Sequence, residues 1–305
     1  MDIQVVLDQM IILFLVMIVG YIANKTKVLD ENLNQKLSTF VLNITSPALI
    51  LSSVAEPVQG DFKLVLQMIS ISVAVYLVLP FIGIIFAKLL RIPKEDRNLY
   101  QFMTIFSNIG FMGYPVVQAI FGNQALFFAA ICNLVFNVVC FSYGVFLISG
   151  EEKLSFDIKK IVNPGIIFSI LAVIIYITKW QMPSILAQTS SLVGSITTPL
   201  AMMIIGSSLA EIPLKEVLND ARIYVFTIIK QIFMPIVFWL ILRRFITNEL
   251  VLGVSVVLQA MPIASITLMF SSQYGGNTSL ASKSIFITTL ASVFTIPTLV
   301  YILFA

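Results

Sequence analysis

The 305-residue chain contains no histidine and only two cysteines, Cys132 and Cys140. The two cysteines lie in one apolar stretch, at a spacing that is typical of neither a disulfide nor a metal site. Charged residues are also scarce, at 11% of the chain against roughly 25% in soluble domains. These absences argue against an enzyme, against a metal protein and against a nucleic-acid-binding protein built on basic patches. We expect no cofactor and no bound metal.

Apolar residues, by contrast, make up 59% of the chain, and the mean hydropathy is +1.01. A membrane-spanning helix needs about 20 such residues. Apolar runs bounded by polar or charged residues predict an all-α integral membrane protein with ten transmembrane helices and short connections. The predicted spans are residues 5–24, 35–54, 64–88, 99–121, 123–149, 162–179, 189–210, 221–243, 249–272 and 281–304.

The lysine and arginine positions predict the orientation. Short loops that stay in the cytoplasm are rich in these residues. With ten spans, thirteen basic residues face one side and four face the other, so we expect a multi-pass plasma-membrane protein with both termini outside the cytoplasm. The cytoplasmic set is Lys25, Lys27, Lys36, Lys88, Arg91, Lys94, Arg97, Lys153, Lys159, Lys160, Lys215, Arg222 and Lys283; the outer set is Lys63, Lys179, Arg243 and Arg244.

The two halves of the chain carry prolines in the same order. Residues 1–149 are predicted to form a first five-helix repeat and residues 162–305 a second, joined by a short cytoplasmic linker at 150–161. Because five is an odd number, the two repeats would insert with opposite topology, as in many secondary transporters. The alternative is that proline is simply frequent in membrane helices. The matched pairs are Pro47 with Pro199, Pro80 with Pro235, and Pro115 with Pro262.

Spans four and nine carry the features of broken helices. Glycine lowers the cost of leaving helical geometry, and proline removes a helical hydrogen bond. Two such breaks that cross near the bilayer midplane would present half-helix N-termini, which favour an anionic substrate. The alternative is two ordinary proline kinks. The residues predicted to line this site are Asn108, Gly110, Gly113, Pro115, Gln259, Pro262 and Ser265.

Three further polar residues within the spans are candidates for the same site. Lys230 lies inside the eighth span, where a lysine costs roughly 2.5–3.5 kcal/mol on insertion scales. It could attract a carboxylate substrate, or it could extend to the cytoplasmic interface. Asn133 and Asn137 share one helix face. They could line the cavity, or they could form hydrogen bonds between helices.

The spans offer little for coupling to protons, because they contain almost no carboxylate beyond Asp8 near the outer end of the first span. A sodium site could still be built from carbonyl, amide and hydroxyl oxygens. Without a coupling ion, an anion carrier can run on the membrane potential, which supplies about 2.3 kcal/mol per charge per 100 mV.

Several motifs together make the chain similar to the auxin efflux carrier family, in its short bacterial form. Plant members carry an asparagine four residues before Met-Gly-x-Pro, a Gln-Ala pair shortly before a proline, and a basic residue five before a proline. The matching residues here are Asn108 with Met112-Gly113-Tyr114-Pro115, Gln259-Ala260 with Pro262, Lys230 with Pro235, and also Pro199-Leu200-Ala201-Met202 and Ile296-Pro297-Thr298-Leu299-Val300-Tyr301. Ser107 stands where the plant proteins have a proline, and their long cytoplasmic loop is absent.

The resemblance implies a scaffold of spans one, two, six and seven that forms a homodimer, and a transport domain of spans three to five and eight to ten. It implies elevator-type alternating access and an organic-anion substrate, auxin-like or malate- or malonate-like, with Asn108 as a substrate contact. Two alternatives remain: a sodium-coupled symporter of the related bile-acid transporter fold, and a non-transporting membrane receptor for the same ligands.

Overall fold

The computed structural model describes residues 3–55, 61–150, 162–212 and 221–304. Every regular element in these residues is a helix, and no strand forms among them beyond an isolated antiparallel bridge between Ser107 and Ile263. A helix satisfies its own backbone N–H and C=O groups, which lipid cannot do. The predicted all-α class is therefore confirmed for the described residues.

Twelve helices, numbered here in chain order, account for most of the described residues. Helical residues lie within each of the ten predicted spans, and spans four and nine are each divided into two helices. The bounds are α1 (Ile3–Lys25), α2 (31–52), α3 (Phe62–Leu89), α4 (Arg97–Ile105), α5 (Ile109–Phe121), α6 (Asn123–Ser149), α7 (Pro164–Thr178), α8 (Ser184–Glu211), α9 (Ala221–Leu242), α10 (Glu249–Ala260), α11 (Ile266–Tyr274) and α12 (Thr278–Phe304).

Six of these helices are long and apolar enough to cross a membrane, namely α1, α3, α6, α8, α9 and α12. Helices α5, α7 and α10 are apolar but shorter. Several long apolar helices define a multi-pass membrane protein. The predicted linker at 150–161 lies outside the described residues except for Gly150, and so do Lys153, Lys159, Lys160 and Lys215.

Polar side chains set several helix starts. Asp30 Oδ1 accepts the Leu33 N–H at 2.8 Å, and Asn163 Oδ1 accepts the Ile166 N–H at 3.1 Å. Such N-caps satisfy backbone donors that have no partner within the helix. The Asp30 cap explains why α2 begins at Glu31, four residues before the predicted start of the second span.

Three prolines follow a π-helical turn. A proline inside an α-helix blocks the hydrogen bond to the carbonyl four residues back and clashes with it. A π turn shifts the bond to the carbonyl five residues back and so makes room for the ring. The turns are Val41–Thr45 before Pro47, Ile109–Gly113 before Pro115, and Ile229–Phe233 before Pro235.

Helices α1, α8, α2 and α7 pack in that order, each against the next, and α1 lies along the second half of α8. Helix α7 also packs against α6. Glycines permit this close approach. A Cβ added to Gly20 would overlap the carbonyl oxygen of Met203, and one added to Gly206 would overlap that of Met17. In lipid, helix association depends on such close contacts between small residues. The remaining helices pack around α4, α5, α10 and α11, which hold the two breaks.

Candidate functional site

The breaks in spans four and nine meet each other and form backbone hydrogen bonds. Asn108 N–H donates to Pro262 O at 2.8 Å, and Ala264 N–H donates to Phe106 O at 3.0 Å. Ser107 and Ile263 are the bridged pair between these bonds. Non-helical backbone at membrane depth needs such partners because lipid supplies none. We call residues 106–108 and 261–265 the crossing.

Two half-helices end at the crossing and two begin there. Helices α4 and α10 end at it, and α5 and α11 start from it. Asn108 Oδ1 accepts the Phe111 N–H at 3.3 Å and so caps α5, whereas no side chain caps α11 at Ser265. The helix starts carry partial positive charge and the helix ends partial negative charge. The crossing therefore holds dipole ends of both signs.

One side of the crossing is accessible. Ser265 is exposed, Gly110 is partly exposed, and a Cβ added to Gly110 would meet no atom within 4 Å. Asn108 Nδ2 donates to Ser265 Oγ at 3.3 Å and links the two breaks on this side. The arrangement offers an amide, a hydroxyl and two helix starts to a ligand.

The crossing also contains a buried lysine. The Lys230 side chain is 0% exposed, and its Nζ donates to Thr104 O at 3.2 Å and to Ser107 Oγ at 3.0 Å. Lys230 therefore does not extend to the cytoplasmic interface, which was the alternative drawn from the sequence. It reaches the crossing from the π turn of α9.

Gly113 and Pro115 act through packing. A Cβ on Gly113 would lie 2.8 Å from Leu258 Cδ2, so the glycine lets α10 pack close to α5. Span four breaks at the start of the glycine- and proline-containing stretch 107–115 and not at Pro115 itself. Tyr114 N–H bonds to Ile109 O, and this π turn accommodates the proline, while the break lies upstream at the crossing. The break persists there because its freed backbone groups find partners in span nine.

Gln259 lies beside the crossing next to a cavity of about 10 Å³, which Ser72, Cys132 and Ile109 also line. The Gln259 Oε1 atom is buried and has no hydrogen-bond partner. A cavity of this size has room for about one water molecule. An organic anion can therefore enter this cavity only if the surrounding helices move.

The two asparagines of α6 differ. Asn137 accepts a hydrogen bond at 3.4 Å from Asn163, the N-cap of α7, so it joins two helices. Its Nδ2 also donates to Asn133 O at 2.7 Å within α6. Asn133 is half-buried. For Asn137, these contacts favour the interhelical hydrogen bond over cavity lining.

Four site residues went unrecognised in the sequence. Besides Thr104 and Ser107, Thr288 Oγ1 accepts the Ile263 N–H at 3.3 Å, and Gln231 Nε2 donates to Thr288 O at 2.7 Å. Gln231 and Thr288 thus join α9 and α12 to the crossing. Ser107 and Gln231 are direct neighbours in the sequence of the predicted residues Asn108 and Lys230, so they could have been found by their position. Thr104 and Thr288 lie within helices, and no sequence feature distinguishes them.

A larger cleft of about 400 Å³ lies elsewhere, where α1 and α8 end and α2 begins. Asn24 and Asn34 each donate to Ser207 Oγ and to Glu211 Oε1 there, at 2.8–3.2 Å. Asp30, Glu31 and Glu211 line the cleft with Lys27. Three carboxylates against one lysine repel an anion, so we do not assign this cleft to an organic-anion substrate.

Long apolar helices around two paired helix breaks are typical of membrane transport proteins. The sequence model of the family described as membrane transport protein matches residues 5–301, and the chain belongs to this family. It is the family of the auxin efflux carriers, so the resemblance drawn from the motifs is confirmed.

Similar proteins cover nearly the whole chain. An uncharacterized transporter of Methanocaldococcus jannaschii is 27% identical over 301 residues, which is 95% of this chain and 96% of that protein. An uncharacterized transporter of Methanothermobacter thermautotrophicus is 25% identical over 92% of each chain. A protein of Rhizobium meliloti named "Putative malonate transporter" is 24% identical over 88% of this chain and 86% of its own length.

Proposed function

We propose that the protein is a secondary transporter that moves a small organic anion across the cell membrane through the crossing. The observation that carries the proposal is the composition of the crossing. It combines two helix starts, the Asn108 amide, the Ser265 hydroxyl and the buried Lys230 ammonium. This combination of donors and positive charge favours an anion, as helix starts do in phosphate sites.

The charge of the surrounding helices supports the same conclusion. No aspartate or glutamate occurs at residues 62–94, 97–150, 221–248 or 250–305. A substrate carboxylate near the crossing therefore meets positive charge without repulsion from an acidic side chain on those segments. We propose a mono- or dicarboxylate, malonate- or malate-like or auxin-like. The name of the Rhizobium meliloti relative supports a dicarboxylate.

We propose that the chain spans the membrane ten times as two inverted five-helix repeats, with both termini extracytoplasmic. Helices α1, α2, α7 and α8 would form the scaffold and, in a homodimer, its interface. The remaining helices would form the transport domain. The close approach of α1 to α8 at Gly20 and Gly206, and the packing of α2 against both α7 and α8, support this division.

We propose that transport follows elevator-type alternating access driven by the membrane potential. The cavity at Gln259 is too small for a carboxylate substrate, so a substrate that occupies it requires the surrounding helices to move. A negative interior favours outward movement of an anion by about 2.3 kcal/mol per charge per 100 mV. No coupling ion is needed for net movement under that force.

The test is uptake of labelled malate, malonate and indole acetate by proteoliposomes under an imposed potential without sodium. Protein-free liposomes and the Asn108→Ala variant are the controls. We expect potential-driven movement of at least one anion. Movement that requires sodium would instead identify a symporter. Binding without movement under any gradient would identify a receptor and refute the transport proposal.

A further inference from the structure

Lys230 is a buried charge whose acceptors are neutral oxygens. Its two hydrogen bonds go to a backbone carbonyl and a serine hydroxyl. Helices α3, α4, α5, α6, α9, α11 and α12 fall in sequence segments that contain no aspartate or glutamate. A buried ammonium without a carboxylate partner is costly. To remain charged, the lysine needs another stabilising group.

The backbone of the crossing supplies that group. Thr104 O belongs to the last turn of α4, and in an unbroken helix it would accept the Asn108 N–H. That N–H donates to Pro262 O instead, because span four breaks at the crossing. The Thr104 carbonyl is therefore left without its helical partner at the negative end of the α4 dipole. Lys230 Nζ donates hydrogen bonds to this carbonyl and to the hydroxyl of Ser107 in the break.

Unwound carbonyls and half-helix C-terminal ends are the groups that bind mobile sodium ions or protons in other broken-helix transporters. We propose that the Lys230 ammonium is a tethered cation that fills the position of such a mobile coupling cation at the crossing. The protonated Lys230 then neutralises the negative end of α4, and the crossing can accept a carboxylate without sodium. The transport consequence rests on the proposed function, but occupation of the cation position does not.

The first experiment measures thermal unfolding of the purified protein in sodium chloride, n-propylammonium chloride or choline chloride at equal concentration. Lys230→Ala removes the atoms that n-propylammonium contains, so the free cation can replace them. We expect a lower Tm for Lys230→Ala in choline and a rise of about 3 °C or more in n-propylammonium or sodium. Wild type should have the same Tm in sodium as in choline.

Two variants serve as controls. Lys88→Ala removes an exposed lysine at the end of α3 and should not respond to n-propylammonium. Lys230→Met keeps most of the side-chain volume without the charge, so n-propylammonium should not stabilise it. The proposal is overturned if n-propylammonium raises the Tm of Lys230→Ala no more than that of Lys88→Ala. It is also overturned if sodium raises the Tm of the wild type to a plateau. If Lys230→Ala yields no folded protein, Lys230→Ser is measured in the same salts with the same two outcomes.

The second experiment measures proteoliposome transport in the same salts. Wild-type transport should be equal in sodium and choline, and Lys230→Ala should lose at least about tenfold in choline and recover in n-propylammonium. If wild type moves no anion while the Tm responses are as expected, the proposed function fails and the tethered cation stands. If wild type transports but no cation affects the Tm or the transport of Lys230→Ala, the tethered cation is refuted and the proposed function stands.

Discussion

Replacing Ser107 by alanine tests how Lys230 is held. The change removes one of the two acceptors of the buried ammonium, at 3.0 Å, and leaves Thr104 O. A hydrogen bond to a charged group contributes about 1.5–3 kcal/mol. Because Lys230 is fully buried, bulk water cannot replace the lost hydroxyl. We expect Ser107→Ala to lower the free energy of unfolding by about 2 kcal/mol, or the Tm by about 4 °C or more.

Ser142→Ala is the matched control. Ser142 is also buried, but its hydroxyl donates to Val138 O of its own helix at 2.6 Å and touches no charge. Its removal should cost less than about 1 kcal/mol, since that carbonyl keeps its backbone bond. Thermal unfolding can be followed by the fluorescence of the two tryptophans, Trp180 and Trp239.

A double-mutant cycle isolates the contact between Ser107 and Lys230. With the ammonium removed by Lys230→Met, Ser107→Ala should cost less than about 0.5 kcal/mol, because the hydroxyl no longer serves a charge. An equal cost in both backgrounds would refute the reasoning. It would mean that Ser107 stabilises the crossing through its own packing and not through the lysine.

Three further predictions address the site, the packing and the orientation. Asn108→Ala should reduce proteoliposome transport by at least about tenfold and cost about 1–2 kcal/mol of stability, for its N-cap and its bond to the exposed Ser265; unchanged transport would remove Asn108 from the site. Gly206→Val should abolish folded yield in size-exclusion chromatography because of the overlap with Met17, whereas Gly110→Ala, with open space around it, should not. Lys94 is exposed, so the Lys94→Cys variant should react with an impermeant thiol reagent from the cytoplasmic side alone. Labelling from outside would reverse the assigned topology.

Much of the helical architecture could be predicted because lipid imposes a simple pattern. Apolar runs and the polar residues between them located helices in all ten predicted ranges, with ends that differ by a few residues. Capping explains one of these differences. Helix α2 starts at its Asp30 cap, which lies before the apolar run and so does not contribute to hydropathy.

Proline marked the helix break in span nine, where Pro262 lies between the two helices, but not in span four. Pro115 suggested a break in its own vicinity, yet the chain absorbs this proline in a π turn and breaks at Phe106–Asn108 instead. The break is determined by its partner, since Asn108 N–H needs Pro262 O and Phe106 O needs Ala264 N–H. A pairing between residues this far apart has no local signature in the sequence.

The same limit applies to the contacts of Lys230. The sequence showed a costly charge within span eight and therefore a need for a partner. It did not show whether the partner was a carboxylate, a carbonyl or the membrane interface. Thr104 O becomes a suitable acceptor only after the break in span four has removed its helical donor. The partner of Lys230 is thus a consequence of tertiary structure.

The hydrogen bonds of the crossing also bear on how the helices can move. Two backbone bonds and the Asn108–Ser265 contact join spans four and nine, and each would be lost if one break slid past the other. The two backbone bonds lie between buried residues, and the loss of either costs about 1–3 kcal/mol. Between α5 and α8, by contrast, the side-chain bond is Thr198 Oγ1 to Gln118 Oε1, a longer contact at 3.4 Å. We therefore expect the crossing to move as one body along the α1 and α8 surface, with Lys230 and its charge carried inside it. Oxidative crosslinking of cysteines at positions 107 and 263 should then leave transport at the level of the same double-cysteine variant before oxidation. Crosslinking of cysteines at positions 118 and 198 should stop the transport that its reduced form shows. The reverse result would favour a hinge at the breaks over an elevator.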